Sequence, residues 1–243
     1  MPFVVTELIE DEDYDPLFQI QYKAFINEPA FVALYPGGLD PSARSQNTAR
    51  FRASLGFSDP QVAVAKVYDD QNGQICAFAT MRIYGGNPFS GAEDSDVKFP
   101  HVDGDKKVWL EWLFNTKNDR RRKFKELQVP GSYCCKFTHT CLIRIYKHRT
   151  ASFSSSIDLV ALGTDPSRQR EGAATLLLDW AVTVMDKKGS RAMLEASRIA
   201  VQYGLYEKQD FHAIDTHTYV DKGRFPDMGS MSLVTMVRDA RRE

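Results

Sequence analysis

Apolar positions along this chain of 243 residues recur at a period of two or at a helical period, and each change of period marks an element boundary. Phe3 to Leu8 alternates and predicts a first strand. Between Asp15 and Asn27, Leu17, Ile20, Ala24 and Phe25 fall on one helical face. Pro29 and the Pro36-Gly37-Gly38 run break that pattern, and Pro41 to Leu55 predicts a second helix. Gln61 to Tyr68 and Gln74 to Tyr84 read as strands joined by Asp69-Asp70-Gln71-Asn72-Gly73, a hairpin signal. From 86 to about 150 the pattern is least regular, and leucine, tryptophan and charge between Val108 and Leu127 predict one helix there. Ser156 to Thr164 predicts the fourth strand, with Val160 to Gly163 short and apolar, as a central strand should be. A helix follows from Glu171 to Lys188, with Leu177, Trp180, Ala181, Val184 and Met185 at helical spacing and a stop at Lys187-Lys188-Gly189. Arg191 to Ala196 predicts a strand, Ile199 to Lys208 a helix, and Phe211 to Val220 and Ser230 to Val237 the closing strands. No internal repeat or low-complexity linker divides the chain, so a single domain over 1–243 is expected.

Composition narrows the class. Hydrophobic residues make up 43% of the chain, enough for a sizeable core. A formal net charge of −1 argues against a partner that is nucleic acid or an anionic membrane. No apolar run is long enough for a membrane-spanning helix. The N-terminus lacks a basic stretch and a cleavage site, so a cytoplasmic protein is expected. Nothing in the pattern sets an oligomeric state. Cys134, Cys135 and Cys141 cluster around His139, but the paired C-x-x-C spacing is missing, and no metal is expected. The basic run Lys117 to Lys125 resembles a nuclear address or polyanion site. With the total charge near zero, a solvated helix face is the expectation. Trp109 and Trp112, just before it, are spaced to dock a helix on a core.

The densest chemistry lies between Asp158 and Trp180, which reads as strand, turn, small-residue loop and amphipathic helix. Asp165-Pro166-Ser167 is turn chemistry. Gly172, Ala173 and Ala174 leave little side chain over the helix entry. The first N–H groups of a helix lack partners and sit at the positive end of its dipole, so an uncovered N-terminus takes a phosphate or pyrophosphate. Arg168 and Arg170 flank this loop, with Arg170 the first choice for a phosphate partner.

Gln169, Gly172 and Ala174 fit the pattern Gln/Arg-x-x-Gly-x-Gly/Ala, and the segment resembles the acetyl-CoA binding motif of the GNAT acyltransferase superfamily. Leu194-Glu195-Ala196-Ser197 and Leu205-Tyr206-Glu207-Lys208-Gln209-Asp210-Phe211 follow at that family's spacing. In the second, Asp210 replaces a glycine, which is expected to alter the turn before the next strand. Leu177-Leu178-Asp179-Trp180 looks like a GNAT subgroup common in filamentous fungi. The strong match covers about 156 to 220, and the whole chain agrees in element order.

The resemblance implies an α/β (α+β) fold, the GNAT acyl-CoA N-acyltransferase fold. Its sheet of about seven strands is mixed, mostly antiparallel, flanked by helices and splayed between strands 4 and 5. Gly163 is the expected place for the kink that opens the wedge. Segment 86–150 is then an insertion between strands 3 and 4 lying over the acceptor side, with Trp112 a candidate for that pocket. The cosubstrate implied is acetyl-CoA or coenzyme A, with no metal. Leu162, Gly163 and Thr164 on the fourth strand, with Ser197 on the fifth, are its implied contacts to pantetheine and thioester. Gln169, Arg170, Glu171, Gly172, Ala173 and Ala174 form the implied phosphate loop, and Lys208 lies toward the nucleotide. Tyr206 occupies the position that protonates the CoA sulfur. Asp158 is the first candidate general base and Glu195 the second, since a carboxylate inside a buried strand needs a partner or a function. The expected activity is direct acetyl transfer to a primary amine of a small molecule in a ternary complex. A peptide acetyltransferase and a non-catalytic acyl-CoA-binding protein are the alternatives.

Overall fold

The computed structural model describes residues 3–7, 9–56, 59–84, 97–122, 156–202 and 204–239. Its first hairpin forms where turn chemistry predicts it. The Asp69 carbonyl accepts the Gly73 N–H at 2.8 Å, and the Asp69 carboxylate accepts the Gln71 N–H at 2.9 Å. Gly73 takes φ +72°, a region open to glycine without cost. The turn joins β2 (Val62–Asp69) to β3 (Ile75–Tyr84), and β1 (Phe3–Thr6) pairs antiparallel with β2. With β4 (Ser156–Thr164), β5 (Ala192–Ser197), β6 (His212–Tyr219) and β7 (Met231–Arg238), these strands make one seven-stranded sheet in the order β1-β2-β3-β4-β5-β7-β6. All neighbours are antiparallel except β4 and β5.

Both faces of this sheet are covered. On one side lie α1 (Tyr14–Ala24), α2 (Pro29–Leu34), α3 (Pro41–Leu55) and α4 (Gly104–Arg122), over a core that includes Phe78 and Ala161. On the other lies α5 (Ala173–Lys187), whose Leu177, Leu178, Ala181 and Met185 pack on Ala77, Ala79 and Met81 of β3. Alternation along β3 thus feeds both cores, which is why Cys76 to Arg82 is buried throughout. Each leucine of α5 withdrawn from water contributes about 1.5–3 kcal/mol.

The elements fall close to the expected positions, with two departures. Pro29 starts a short helix, α2, rather than ending order. Proline is tolerated at a first helical position because that N–H would be unpaired anyway. The helix expected over 199–208 is instead the short α6 (Arg198–Gln202) and a separate 3-10 turn, Glu207–Gln209. That turn ends at Asp210 with φ +63°. Aspartate enters the left-handed region more readily than most residues, so Asp210 makes a left-handed turn of the kind glycine favours, contrary to the expected alteration.

The expected kink at Gly163 is also displaced. Gly163 stays in register opposite Phe78, and a Cβ there would meet the Phe78 ring at 3.0 Å, so close packing accounts for the glycine. The irregularity lies at Val160: Thr80 pairs with Ala161 and Met81 with Leu159, leaving Val160 as the extra residue. One extra residue inverts the facing of every later side chain. Ile157 and Leu159 accordingly pack toward α5, whereas Ala161 joins the opposite core and Leu162 turns back toward α5.

Candidate functional site

β4 and β5 are hydrogen-bonded only where they start. Ile157 pairs with Ala192 and Asp158 with Met193, and the Ile157 N–H donates to the Arg191 carbonyl at 3.2 Å. Beyond this point β5 continues beside β7 and β4 beside β3, so the two strands part. The bulge at Val160 lies just past the fork, where added twist turns β4 away. A cleft fills the wedge, with about 850 Å³ of empty space counting the part open to solvent. Leu159 to Leu162 form one wall and Leu194 to Ser197 the other. Backbone groups on the β4 edge are thereby left available to an extended ligand.

Helices close the far end of the cleft. Phe25 and Glu28 come from the link between α1 and α2, Phe31 and Leu34 from α2, Phe114 and Lys117 from α4, and Met231 and Leu233 from β7. Phe114 and Lys117 are one helical turn apart and share a face of α4. Trp109 is buried in the core and Trp112 packs on Phe225 at 5.4 Å between ring centroids. Neither belongs to the cleft lining, contrary to the expectation for Trp112; Phe114 is the aromatic residue that α4 contributes there.

The start of the basic run turns inward at Lys117 and Arg120, and the side chains from Arg121 onward lie outside the described residues. Lys117 is 1% exposed, and its Nζ lies 3.0 Å from Glu195 Oε2, itself 2% exposed. Arg120 donates two hydrogen bonds to Asp215, at 2.7 and 2.8 Å. Lys123 to Lys125, like Cys134, Cys135, His139 and Cys141, lie outside the described residues. Among the described residues no acid, histidine and cysteine cluster has the makings of a metal site. No described helix is long and apolar enough to cross a membrane.

Three further groups give the cleft its chemistry. Tyr206 is 8% exposed, sits on the lining and meets Phe211 edge-on at 6.4 Å. Burial, with a smaller effect of the Glu207 charge, pushes its phenol up to about 12, so the proton is present at any physiological pH. Ser197 caps α6, its Oγ accepting the Ala200 N–H at 3.3 Å. Glu28 is half-buried among Phe25, Phe31 and Leu34 and has no ion pair with any described residue. Burial alone holds its carboxyl above the usual range. A carboxyl shifted upward in the folded chain favours folding while protonated, and that advantage is lost as pH rises through its folded value. Glu28→Gln, which cannot ionise, should therefore melt higher than the parent protein at neutral pH, with the gap closing toward about pH 4. Thermal melts across that range measure it, and an unchanged gap would mean that Glu28 is well solvated.

The small-residue loop lies at the open edge, beyond the cleft lining. Asp165 starts a 3-10 turn, Pro166–Arg168, by accepting the Ser167 N–H at 2.9 Å. Gln169 is extended and exposed, Arg170 takes φ +67° and Gly172 φ +97°. α5 then begins at Ala173, with no side chain capping it. A Cβ on Gly172 would point into open space, and the first N–H groups of α5 have no side-chain cap. Arg168 is spent on structure: it donates to Glu171 at 2.8 Å and to Asp69 at 3.0 Å, tying the loop to the β2–β3 turn. That leaves Arg170, exposed, as the loop's cation for an anion.

The predicted site residues thus fall into distinct places. Leu162, Glu195, Ser197 and Tyr206 line the cleft. Gly163 and Thr164 pair with β3. Asp158 stands at the fork by its backbone, and its side chain lies outside the described residues. Ala173 is buried under the loop, Ala174 is half-buried, and Lys208 is exposed on the 3-10 turn after α6. Glu28, Phe31, Phe114 and Lys117 were missed. The only local signal was a glutamate before Pro29 and a lysine one turn from Phe114.

No protein-family model matches the chain, and no curated protein does. Solved structures match closely in shape at low identity. A histone acetyltransferase HPA2 and related acetyltransferase from Corynebacterium glutamicum aligns at 13% identity over 100% of this chain and 99% of that chain, with a TM-score of 0.57. Arylalkylamine N-acetyltransferase 7 of the yellow fever mosquito aligns at 13% over 98% and 87%, with a TM-score of 0.60. NAA60 of Arabidopsis thaliana, in complex with a bisubstrate analogue, aligns at 10% over 100% and 100%, with a TM-score of 0.53. Together they show the fold, which is the GNAT acyl-CoA N-acyltransferase fold.

Proposed function

We propose that this chain is an acetyl-CoA-dependent N-acetyltransferase that moves the acetyl group directly onto the primary amine of a small molecule. One observation carries the reading: a cleft opened between β4 and β5 lies on the same β4–α5 unit as an uncapped helix N-terminus at Gly172. An elongated ligand with amides at one end and a pyrophosphate at the other suits that pair of features. Acetyl-CoA would lay its pantetheine along β4 from Leu162 to Thr164, with Ser197 opposite. Its phosphates would meet the N–H groups from Gln169 to Ala174, with Arg170 and Lys208 as cations. The Glu171 side chain, held by Arg168, would contribute only its backbone.

The reaction needs an ammonium to lose a proton, a C–N bond to form, the C–S bond to break and the sulfur to gain a proton. Tyr206, buried on the cleft lining, would donate to the departing sulfur. Of the two strand carboxylates, Glu195 is held by Lys117 and would set the charge beside the thioester, and Asp158 reaches the fork by its backbone. Segment 86–150 acts as an insertion in a single domain, and its helix α4 sets Phe114 and Lys117 across the acceptor end. That cover favours a small acceptor over a peptide. Leu177-Leu178-Asp179-Trp180 supports kinship with the fungal subgroup, and a cytoplasmic setting fits the reading.

Calorimetric titration with acetyl-CoA, and with CoA and ATP as controls, tests the donor. Binding of both CoA species but not ATP is expected. Gly172→Glu places a carboxylate where the pyrophosphate would sit and strains a position at φ +97°. It should weaken acetyl-CoA binding at least about tenfold, since a full charge at a helix N-terminus alone shifts energies by up to ~2 kcal/mol. Unchanged affinity in that variant would remove the loop from the site.

A further inference from the structure

We infer that the acceptor is a primary monoamine carrying an aryl or bulky alkyl group, with its ammonium held by Glu28 and its apolar part by Phe25, Phe31, Leu34 and Phe114. This rests on the acetyltransferase reading and specifies its second substrate. The charges of the described lining decide the acceptor's charge. They are Glu28, Lys117 and Glu195. Lys117 and Glu195 form a buried ion pair with each other at 3.0 Å. Glu28 remains, with no ion pair among the described residues. One uncompensated carboxylate accommodates one ammonium. A second cation on the acceptor, as in a polyamine, would enter apolar surroundings without a partner, and so would a carboxylate, as in an amino acid.

The apolar residues decide the acceptor's shape. The described lining beside Glu28 is rich in aromatic rings: Phe25 and Phe31 lie 5.4 Å apart by ring centroids, and Phe114 of α4 lines the same cleft. A small hydrophilic amine would leave these rings in contact with water, whereas an aryl or branched alkyl group covers them. Ring faces also attract an ammonium, which adds to the pull of the carboxylate.

The proton balance fits. The ammonium gives a proton to the Glu28 carboxylate, the free amine forms the C–N bond as the C–S bond breaks, and the amine's second proton ends on sulfur. Glu28 then returns its proton to solvent. The half-buried carboxyl, shifted upward, is a better match to an ammonium than an exposed one.

Initial rates of thiol release with acetyl-CoA and four acceptors test this: 2-phenylethylamine, methylamine, spermidine and phenylalanine. Phenylalanine keeps the ring and adds a carboxylate, spermidine adds cations, and methylamine removes the apolar group. The expected kcat/KM for 2-phenylethylamine exceeds each of the others at least about tenfold. Glu28→Gln should lower it at least about tenfold, and should weaken calorimetric binding of 2-phenylethylamine to the CoA-bound protein while leaving CoA affinity unchanged. A preference for spermidine or phenylalanine, or an unaffected Glu28→Gln, overturns the acceptor assignment and leaves the acetyltransferase reading standing. Thiol release with none of the four, despite bound acetyl-CoA, also overturns it. Failure to bind acetyl-CoA overturns the underlying reading, and this inference with it.

Discussion

Tyr206→Phe is expected to lower kcat by about 10²-fold, with acetyl-CoA affinity and melting temperature close to those of the parent protein. The size follows from acidity. Burial pushes the Tyr206 phenol up to about 12, whereas an alkyl thiol ionises near about 8.5. Full proton transfer from this phenol to a thiolate is therefore uphill by about 3–4 pKa units, or about 5 kcal/mol. Tyr206 is better suited to donate a hydrogen bond as negative charge builds on sulfur, and the proton that finally stays there comes from the amine. Such a role belongs at the low end of the general-acid range of about 10²–10⁴. Phenylalanine keeps the ring edge-on to Phe211, so packing should persist. Steady-state kinetics beside a thermal melt separate the two effects. Turnover equal to the parent's would leave the phenol without a catalytic role. An equal fall in stability would make it a core residue.

Lys117→Met is expected to destabilise the protein by about 3–5 kcal/mol. Methionine keeps an apolar stem against Phe114 but leaves the Glu195 carboxylate, 2% exposed, without the cation now 3.0 Å away. A loss of that size is a large share of a typical folding stability of about 5–15 kcal/mol. The double variant Lys117→Met with Glu195→Gln removes both charges and should recover much of the loss, because a buried pair is not itself a strong source of stability. Urea unfolding of the parent, both single variants and the double variant gives the coupling directly. If the single variant loses less than about 1 kcal/mol, the pair is solvated and the charge count of the cleft changes.

Local pattern carried most of the framework. The strands and α1, α3 and α5 were legible because each has its own period and its own end signals. The loop from Gln169 to Ala174 was legible because small residues at a helix entry have one chief consequence, bare N–H groups. Pairings between distant segments were not. Glu195 was marked as a buried carboxylate in need of a partner, but nothing in its neighbourhood names Lys117. The lysine sits in a basic run whose composition points to solvent, and only the docking of α4 across β5 turns it inward. Glu28 gave no signal, because its environment is made by the α1–α2 link, α2, α4 and β7 together.

The bulge at Val160 marks the same division within one strand. From sequence, the second half of β4, Val160 to Gly163, is an apolar run with glycine as its natural weak point. The insertion lies instead where β3 and β4 shift register, between Thr80 and Met81 on the partner strand. The sequence alone determined the elements, their order and the small-residue loop at the start of α5, since these depend on backbone propensity and on side chains within a few residues. The tertiary structure decided where β4 parts from β5, that Lys117 pairs with Glu195, and that Glu28 stands half-buried on the cleft lining. Those outcomes depend on which segments come into contact and on how far water is excluded between them, and burial of this kind is a property of the packed assembly, not of any local stretch of chain.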